Sequence, residues 1–426
     1  MMDFDLVIVG GGLVGSSLAC ALRHSGLRVG VVEAVAANAP SHPSYDERVL
    51  ALSLGSRRIF GGIGLWDAMR ADAEPIRQVH VSERGQFGFA RLAADEEGVE
   101  ALGYVTPARS IGQALEACLR DATDTVEVMR PARLVGLRQQ PDGWNIEISV
   151  AGSSRLLRTA LLVAADGGDS ALRRRLGLAV HEQAYGYDAI ITTVTPGRPR
   201  PGVAFERFTD SGPLAMLPMT GGRWSVVWTA RDSDTAGLLA LDDTAFLQAL
   251  QQRFGHRLGR LARPGRRIAY PLRLLLAKQL TGPRLALIGN AAHTLHPVAG
   301  QGFNLGLRDV AELADLLADT RRTGQDPGGH AVLAGYRQRR RQDQANVAAL
   351  TDGLARLFTN PLPTLRLGRN LGLLGLDLLP PARHALARRF MGIGGRLPRL
   401  ARGLPLDGGQ ATHAADDSAR ITQTAS

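Results

Sequence analysis

Three glycines near the start of this 426-residue chain, in Gly10-Gly11-Gly12-Leu13-Val14-Gly15, constrain its fold more than any other feature. They follow a short apolar β-rich run, residues 3–9, and open a helix-patterned run, residues 13–25. A second β run, residues 28–33, comes next, so the spacing predicts a βαβ unit with parallel strands. Gly10, Gly12 and Gly15 then form the tight turn that lets a pyrophosphate approach backbone N–H groups at a helix N-terminus. Such a string alone also describes an ordinary βα turn. Glu33, eighteen residues past Gly15 and at the end of the second strand, is the acid expected to hold a ribose hydroxyl pair. With strand, glycines, helix and acid in register, a bound dinucleotide is the expectation.

Composition narrows the class. Apolar residues make up 45% and charged residues 21%, which fits a soluble globular chain of two or three domains and excludes a fibre or a disordered polymer. Only two cysteines occur, Cys20 and Cys118, in no Cys-x-x-Cys pair, so neither a disulfide framework nor a metal cluster is expected, and a reducing cytoplasm fits. The same count disfavours flavin-dependent disulfide reductases, which need a redox cysteine pair. Trp66, Trp144, Trp224 and Trp228 form no Trp-x-Trp pair, which disfavours flavin halogenases. The start, Met-Met-Asp-Phe-Asp, is acidic and unlike a signal peptide. The uncharged residues 6–22 are too punctuated by glycine and serine to read as a spanning helix.

Further along, residues 51–69 and 112–120 read as helical, and residues 126–163 as β with Pro141-Asp142-Gly143 as a turn. Four β-like runs, residues 189–194, 203–208, 214–217 and 224–229, predict a second, mainly antiparallel layer. A buried strand at 285–288 and helical periods at 302–317 and 331–357 return the chain to the first domain. The fold class is therefore α/β: a Rossmann-like dinucleotide domain (1–75, 105–180, 278–358), an interleaved antiparallel substrate domain (76–104, 181–277), a basic C-terminal region (359–406), and a small polar tail (407–426) expected to be disordered.

Two more glycine-containing blocks follow apolar β runs: Ala165-Asp166-Gly167-Gly168-Asp169, and Ile288-Gly289-Asn290-Ala291-Ala292-His293 leading into His296-Pro297 and Gly300-Gln301-Gly302-Phe303-Asn304. With the fingerprint, these three blocks resemble the flavoprotein aromatic hydroxylases. The strings Tyr45-Asp46-Glu47-Arg48, residues 204–209, residues 212–218 and Gly300 to Asp309 are similar to the ubiquinone-biosynthesis hydroxylases. Residues 204–218 and Gly368-Arg369-Asn370-Leu371-Gly372 look most like the branch acting on 2-octaprenyl-6-methoxyphenol. Asn290 departs from the Asp usual in the third motif but keeps a hydrogen-bonding side chain, and hydroxylases of that pathway often carry it.

The resemblance implies an FAD-dependent monooxygenase that takes a hydride from NAD(P)H, traps O2 as a flavin C4a-hydroperoxide and hydroxylates a polyprenylated phenol. It places Asp166 and Gly167 near the flavin and the nicotinamide pyrophosphate, Arg48 near the flavin phosphates or ribityl chain, and Arg109 and Gln113 near the cofactor. Asn290 would reach ribityl or ribose oxygens. Gly300, Gly302, Phe303 and Asn304 would bring amide dipoles to the flavin pyrimidine. His296 and Pro297 are the candidates for a role at the flavin; His293 and His296 lack the further ligands a metal site needs. Phe205, Arg207 and Trp228 are candidates for a substrate pocket, with ordinary sheet packing as the other reading. A sister hydroxylase of different regiospecificity, and a flavin-binding component of a ubiquinone-biosynthesis complex that does not turn over, remain alternatives.

The net charge is +10, and residues 361–404 hold eight arginines against one acid, Asp377, interleaved with leucine and Phe390. That segment reads either as a surface lying on an anionic membrane at the inner face or as a packed helical layer with solvated arginines. Glycine and proline are expected to break any long helix there. No recognition motif for nucleic acid is present.

Overall fold

The computed structural model describes residues 2–37, 48–360 and 362–407. The strings at Tyr45-Asp46-Glu47 and the tail from 408 onward lie outside the described residues.

Phe4–Val9 is apolar at nearly every position and buried on both faces, as the central strand of a parallel sheet must be. It pairs in parallel with Val29–Val32 on one side and Ser153–Ala164 on the other. Val126–Met129 and Leu285–Leu287 extend the parallel set at the two ends. The N-terminal half of Ser153–Ala164 also carries an antiparallel meander, Ala132–Gln140 and Gly143–Val150, joined through the expected turn. The fingerprint helix Leu13–Leu22 and the long helix Gln301–Thr323 pack on this sheet, with Ala108–Asp121 beside the former. Cys20 on Leu13–Leu22 and Cys118 on Ala108–Asp121 are both buried and unbridged, and the Cys20 thiol donates to the Leu115 carbonyl at 3.7 Å.

A second sheet runs Val180–Pro196, Trp224–Arg231, Gly212–Pro218 and Val203–Thr209, all antiparallel neighbours, and continues to Gln78–Glu83 and Phe89–Ala93. Ile268–Ala277 closes its other side. Both faces are covered. One carries Trp224, Trp228 and Phe205 against the helices Asp232–Ala240 and Asp243–Phe254, the latter contributing Phe246 and Phe254. The other looks toward the first sheet.

The helical reading of residues 51–69 is corrected at its start. Val49–Ser53 is a strand paired with Gly103–Pro107, and the helix begins only at Leu54, capped by the Ser53 hydroxyl accepting from the Ser56 amide at 3.2 Å. The C-terminal region is also corrected. Pro363–Leu378 is a 16-residue helix that runs through Gly368, Gly372 and Gly375 and stops before Pro380-Pro381. Tertiary anchoring overrides propensity here. Buried Glu83 accepts from Arg369 Nη2 at 2.6 Å and Asn370 Nδ2 at 3.1 Å, and Asn370 Oδ1 accepts from the Gly88 amide at 2.9 Å. Leu373 packs with Phe208 and Phe358, whose rings stack 3.5 Å apart. Arg383 pairs with Glu96, and Arg399 with Asp315 and Asp319, so much of the segment's charge is neutralised by acids outside it.

The helices Gln301–Thr323 and His330–Thr359 are tied by one buried carboxylate. Asp309 Oδ1 accepts from Arg340 Nε at 2.7 Å and Gln344 Nε2 at 2.9 Å; Oδ2 accepts from the Gly289 amide at 3.0 Å and lies 2.7 Å from His293 Nε2. Burial alone would raise this carboxyl, but His293 and Arg340 outweigh it and hold it below the usual carboxylate range. Because the folded value is depressed, the contribution to stability is present above the unfolded value near 3.9 and is lost as pH falls below it. Asp309→Ala leaves the buried Arg340 Nε, Gln344 and the Gly289 amide without their acceptor, with Asp343 as the remaining carboxylate on Arg340, and we expect a loss of about 3–5 kcal/mol in denaturant unfolding at pH 7. The deficit should shrink as the melts are repeated at lower pH.

Candidate active site

The three glycine blocks converge because side chains are missing where backbones must touch. A Cβ on Gly10, whose φ is +106°, would fall 2.4 Å from the Ala165 carbonyl oxygen, so the fingerprint turn lies directly on the second block. Val14 fills the space left by Gly289 and Gly306, each of whose Cβ positions would lie 3.0–3.1 Å from its methyl groups. Arg173, buried just after the second block, donates to the Gly168 carbonyl at 2.6 Å and the Ala291 carbonyl at 2.8 Å, tying the second block to the third. Gly15 is equally enclosed, 1.9 Å from the Gly10 oxygen at its Cβ position.

A cavity of about 900 Å³ opens along this seam and runs between the two sheets. Its motif end is lined by Gly10, Gly12, Glu33, Arg48, Asp166, Gly167, Asn290, Pro297, Gly300, Gly302, Phe303 and Asn304. Its other end is the inward face of the second sheet, with Ala189, Ile191, Ala204, Glu206, Ala215, Leu217, Val227 and Leu272. The Glu33 carboxylate is fixed by the Gly11 amide at 2.6 Å and the Val35 amide at 2.7 Å. Asp166 accepts from the Leu172 amide at 3.0 Å through Oδ2, while its other oxygen is buried with no partner among the described residues. Arg48 lies 4.9 Å from the Tyr270 ring centroid. Gly300 takes the left-handed conformation, φ +61°, as N-cap of Gln301–Thr323, and nothing stands within 4 Å of a Cβ on Gly302. The first turn of that helix thus presents open backbone to the cavity. An orphaned carboxylate oxygen, a fixed acid and two glycine-built helix starts fit a phosphate-linked, ribose-bearing group with a planar ring system.

Several expected site residues lie elsewhere. His296 does not line the cavity. Its ring packs edge-on against Tyr185, 5.1 Å between centroids, its Nδ1 accepts from the Val298 amide at 3.3 Å, and burial pushes its imidazole down to about 4, so it is neutral. Arg109 and Gln113 are exposed on Ala108–Asp121 and are not among the lining residues. Asn304 reaches the cavity wall, but both its side-chain polar atoms are spent on the scaffold: Oδ1 accepts from Ser53 N and Ser56 Oγ, and Nδ2 donates to the Ala51 and Gly300 carbonyls. It holds the loop rather than offering free atoms.

Phe205, Arg207 and Trp228 sit on the wrong face for a pocket. Strand side chains alternate, and the cavity takes Ala204, Glu206 and Val227 instead. Phe205 packs 5.6 Å from the Phe254 ring and Trp228 5.7 Å from the Phe246 ring, in the core beneath the sheet. Glu206, in the cavity wall, and Arg173, between the second and third blocks, are side chains the sequence reading passed over. The period-2 pattern of residues 203–209 could have flagged an acid in phase with Ala204.

A family model described as FAD binding domain matches residues 3–351. Ubiquinone hydroxylase UbiL of Rhodospirillum rubrum is 40% identical over 406 residues, covering 94% of this chain and 93% of that protein. The 3-demethoxyubiquinol 3-hydroxylase of Escherichia coli is 33% identical over 375 residues, covering 88% and 94%. In fold, the p-nitrophenol 4-monooxygenase of Pseudomonas putida superposes with a TM-score of 0.75 at 20% identity, over 92% of this chain and 99% of that one. Matched in this way over most of its length, the chain belongs to the FAD-binding family of aromatic-ring monooxygenases that includes the ubiquinone-biosynthesis hydroxylases.

Proposed function

We propose that this enzyme hydroxylates the ring of a polyprenylated phenol in ubiquinone biosynthesis, with NAD(P)H as reductant and O2 as the oxygen source. The observation that carries the reading is the two-ended cavity, with dinucleotide-type groups at one end and an aliphatic sheet face at the other. FAD, when bound, supplies hydride acceptance and oxygen activation. Gly10, Gly12 and Glu33 would hold its adenosine and pyrophosphate; Arg48, Asp166 and Asn290 would hold its linking chain; Gly300 and Gly302 would place amide dipoles at the ring. Ala204, Ala215, Leu217 and Val227, on the second-sheet wall of the cavity, would exclude water and orient an aromatic ring. The relatives' printed activities on ubiquinone precursors support the substrate class.

The C-terminal helix supports contact with a bilayer. No helix among the described residues is long and apolar enough to cross a membrane. Among the described residues, seven of the ten large hydrophobic side chains that stand exposed lie between Leu357 and Leu379. Leu367, Leu371 and Leu378 share one face of Pro363–Leu378 at helical spacing. With Arg369, Arg383 and Arg399 already paired, this apolar stripe carries the membrane reading better than net charge does. A substrate with a prenyl tail would meet the enzyme there.

Two measurements follow from this. Gly302→Ala should fold normally, since nothing stands within 4 Å of its methyl position, yet retain flavin about tenfold to a hundredfold more weakly, because the methyl would hold the ring off the helix-start amides and forfeit a strong hydrogen bond there; Gly15→Ala, by contrast, should yield little folded protein. Flavin absorbance per mole and thermal unfolding separate the two, and a Gly302→Ala protein with full flavin content would contradict the assignment. In co-sedimentation with anionic vesicles, Leu367→Glu/Leu371→Glu/Leu378→Glu should lose more than tenfold in binding, because each leucine moved into hydrocarbon contributes about 1.5–3 kcal/mol. Unchanged sedimentation would remove the membrane reading.

A further inference from the structure

One acid in the cavity wall has no structural employment. Alternation along Val203–Thr209 turns Ala204, Glu206 and Phe208 to the inward face. Across the sheet, Glu206 stands opposite Ala215, Ala215 opposite Val227, and Val227 opposite Ile191, and all four line the cavity. On its other side Glu206 neighbours Val81. It is thus the single polar member of an aliphatic row.

The other acids lining the cavity are engaged by protein. Glu33 binds two backbone amides, and Asp166 binds one. Arg273, a cation in the cavity lining, is held by Asp169 and Glu182. The Glu206 carboxyl has no hydrogen bond or ion pair with any described residue. Protein encloses it on every side except the cavity, and burial, with no opposing charge, pushes its carboxyl up to about 8. At pH 7 it is therefore mostly a neutral acid, able to donate and to accept. Its side chain is half-buried and opens to the cavity, so a purely apolar ring seated there would cut the carboxyl off from water without supplying a partner, whereas a ligand polar group would supply one. A phenol hydroxyl, itself both donor and acceptor, is the matching group.

We propose that Glu206 is the polar contact that selects and seats the substrate's ring hydroxyl, its carboxyl exchanging hydrogen bonds with that hydroxyl within an otherwise aliphatic wall. The proposal rests on the phenol-hydroxylation reading. It makes the sheet face a sieve: it accepts a ring of any apolar decoration that fits but discriminates against one without the hydroxyl, because that ring leaves Glu206 uncompleted.

The test uses flavin-loaded full-length protein and two probes: a methoxyphenol with a short alkyl chain, and the same ring lacking the hydroxyl. Binding is read from perturbation of the flavin absorbance at equilibrium, without turnover. Wild-type protein should prefer the phenol by roughly 10–100-fold, the range for one buried hydrogen bond made or left unmade. Glu206→Leu should erase that preference while binding the deoxy ring and the flavin normally. Glu206→Gln, which keeps shape and hydrogen bonding, should retain most of it and guards against a folding defect in the leucine variant. In infrared difference spectra, the protonated-carboxyl C=O band should shift when the phenol is added, not when the deoxy ring is added, and should be missing from Glu206→Gln.

Equal preference in wild type and Glu206→Leu, or a band that ignores the phenol, would overturn the proposal. Loss of flavin from both variants would assign Glu206 to the cofactor and overturn it as well. Wild-type protein that binds flavin but neither ring would instead overturn the phenol reading itself, and this proposal with it.

Discussion

Backbone pressed against backbone, with no side chain between, is the contact on which this structure depends. The Gly10 turn rests on the Ala165 carbonyl, and Val14 enters the gap that Gly289 and Gly306 leave open. Three stretches of chain more than a hundred residues apart are locked together by these contacts, and the cavity exists because their loops all end at the same edge of the parallel sheet. Arg173 adds a polar tie between the second and third loops, and the buried Asp309 carboxylate fixes the third loop to the two long helices behind it. The cofactor site is therefore a property of packing before it is a property of any single binding residue.

From that seam the chemistry is divided between two walls. The first sheet contributes charges, amides and helix starts, which suit phosphates, ribose and an electron-rich ring. The second contributes a largely apolar surface in which Glu206 stands in an aliphatic row. An oxygen-transferring flavoprotein needs both: groups that hold the cofactor by its polar parts, and a dry face that holds an aromatic ring beside it. A stripe of exposed leucines near the C-terminus adds the means by which a tailed substrate would be met.

Much of this was legible in the sequence, for a physical reason. Glycines that permit close approach must stand at fixed offsets from strand ends and helix starts, so the first and third motifs announce themselves locally, and Gly10, Glu33, Asp166, Asn290, Gly300 and Gly302 all line the cavity. What was hidden depended on phase and distance. Residues 203–229 alternate plainly, but both faces of that sheet are buried, so alternation does not say which face meets the ligand; Phe205, Arg207 and Trp228 went to the helices and Glu206 to the cavity. His296 stood beside the motif in sequence yet turned into the core against Tyr185. The C-terminal arginines looked free because their partners, such as Glu83 for Arg369, lie some 286 residues away.

The central claim is that the seam between the two sheets holds both the flavin and an aromatic ring, with the ring against the inward face of the second sheet. A crystal structure of the protein grown with FAD and a methoxyphenol tests it most directly. The account requires isoalloxazine density at the start of Gln301–Thr323 and the phenol ring between it and Ala204, Glu206 and Ala215. A ring bound on the opposite face, among Phe205, Trp228 and Phe246, or a flavin seated away from Gly300 and Gly302, would contradict it.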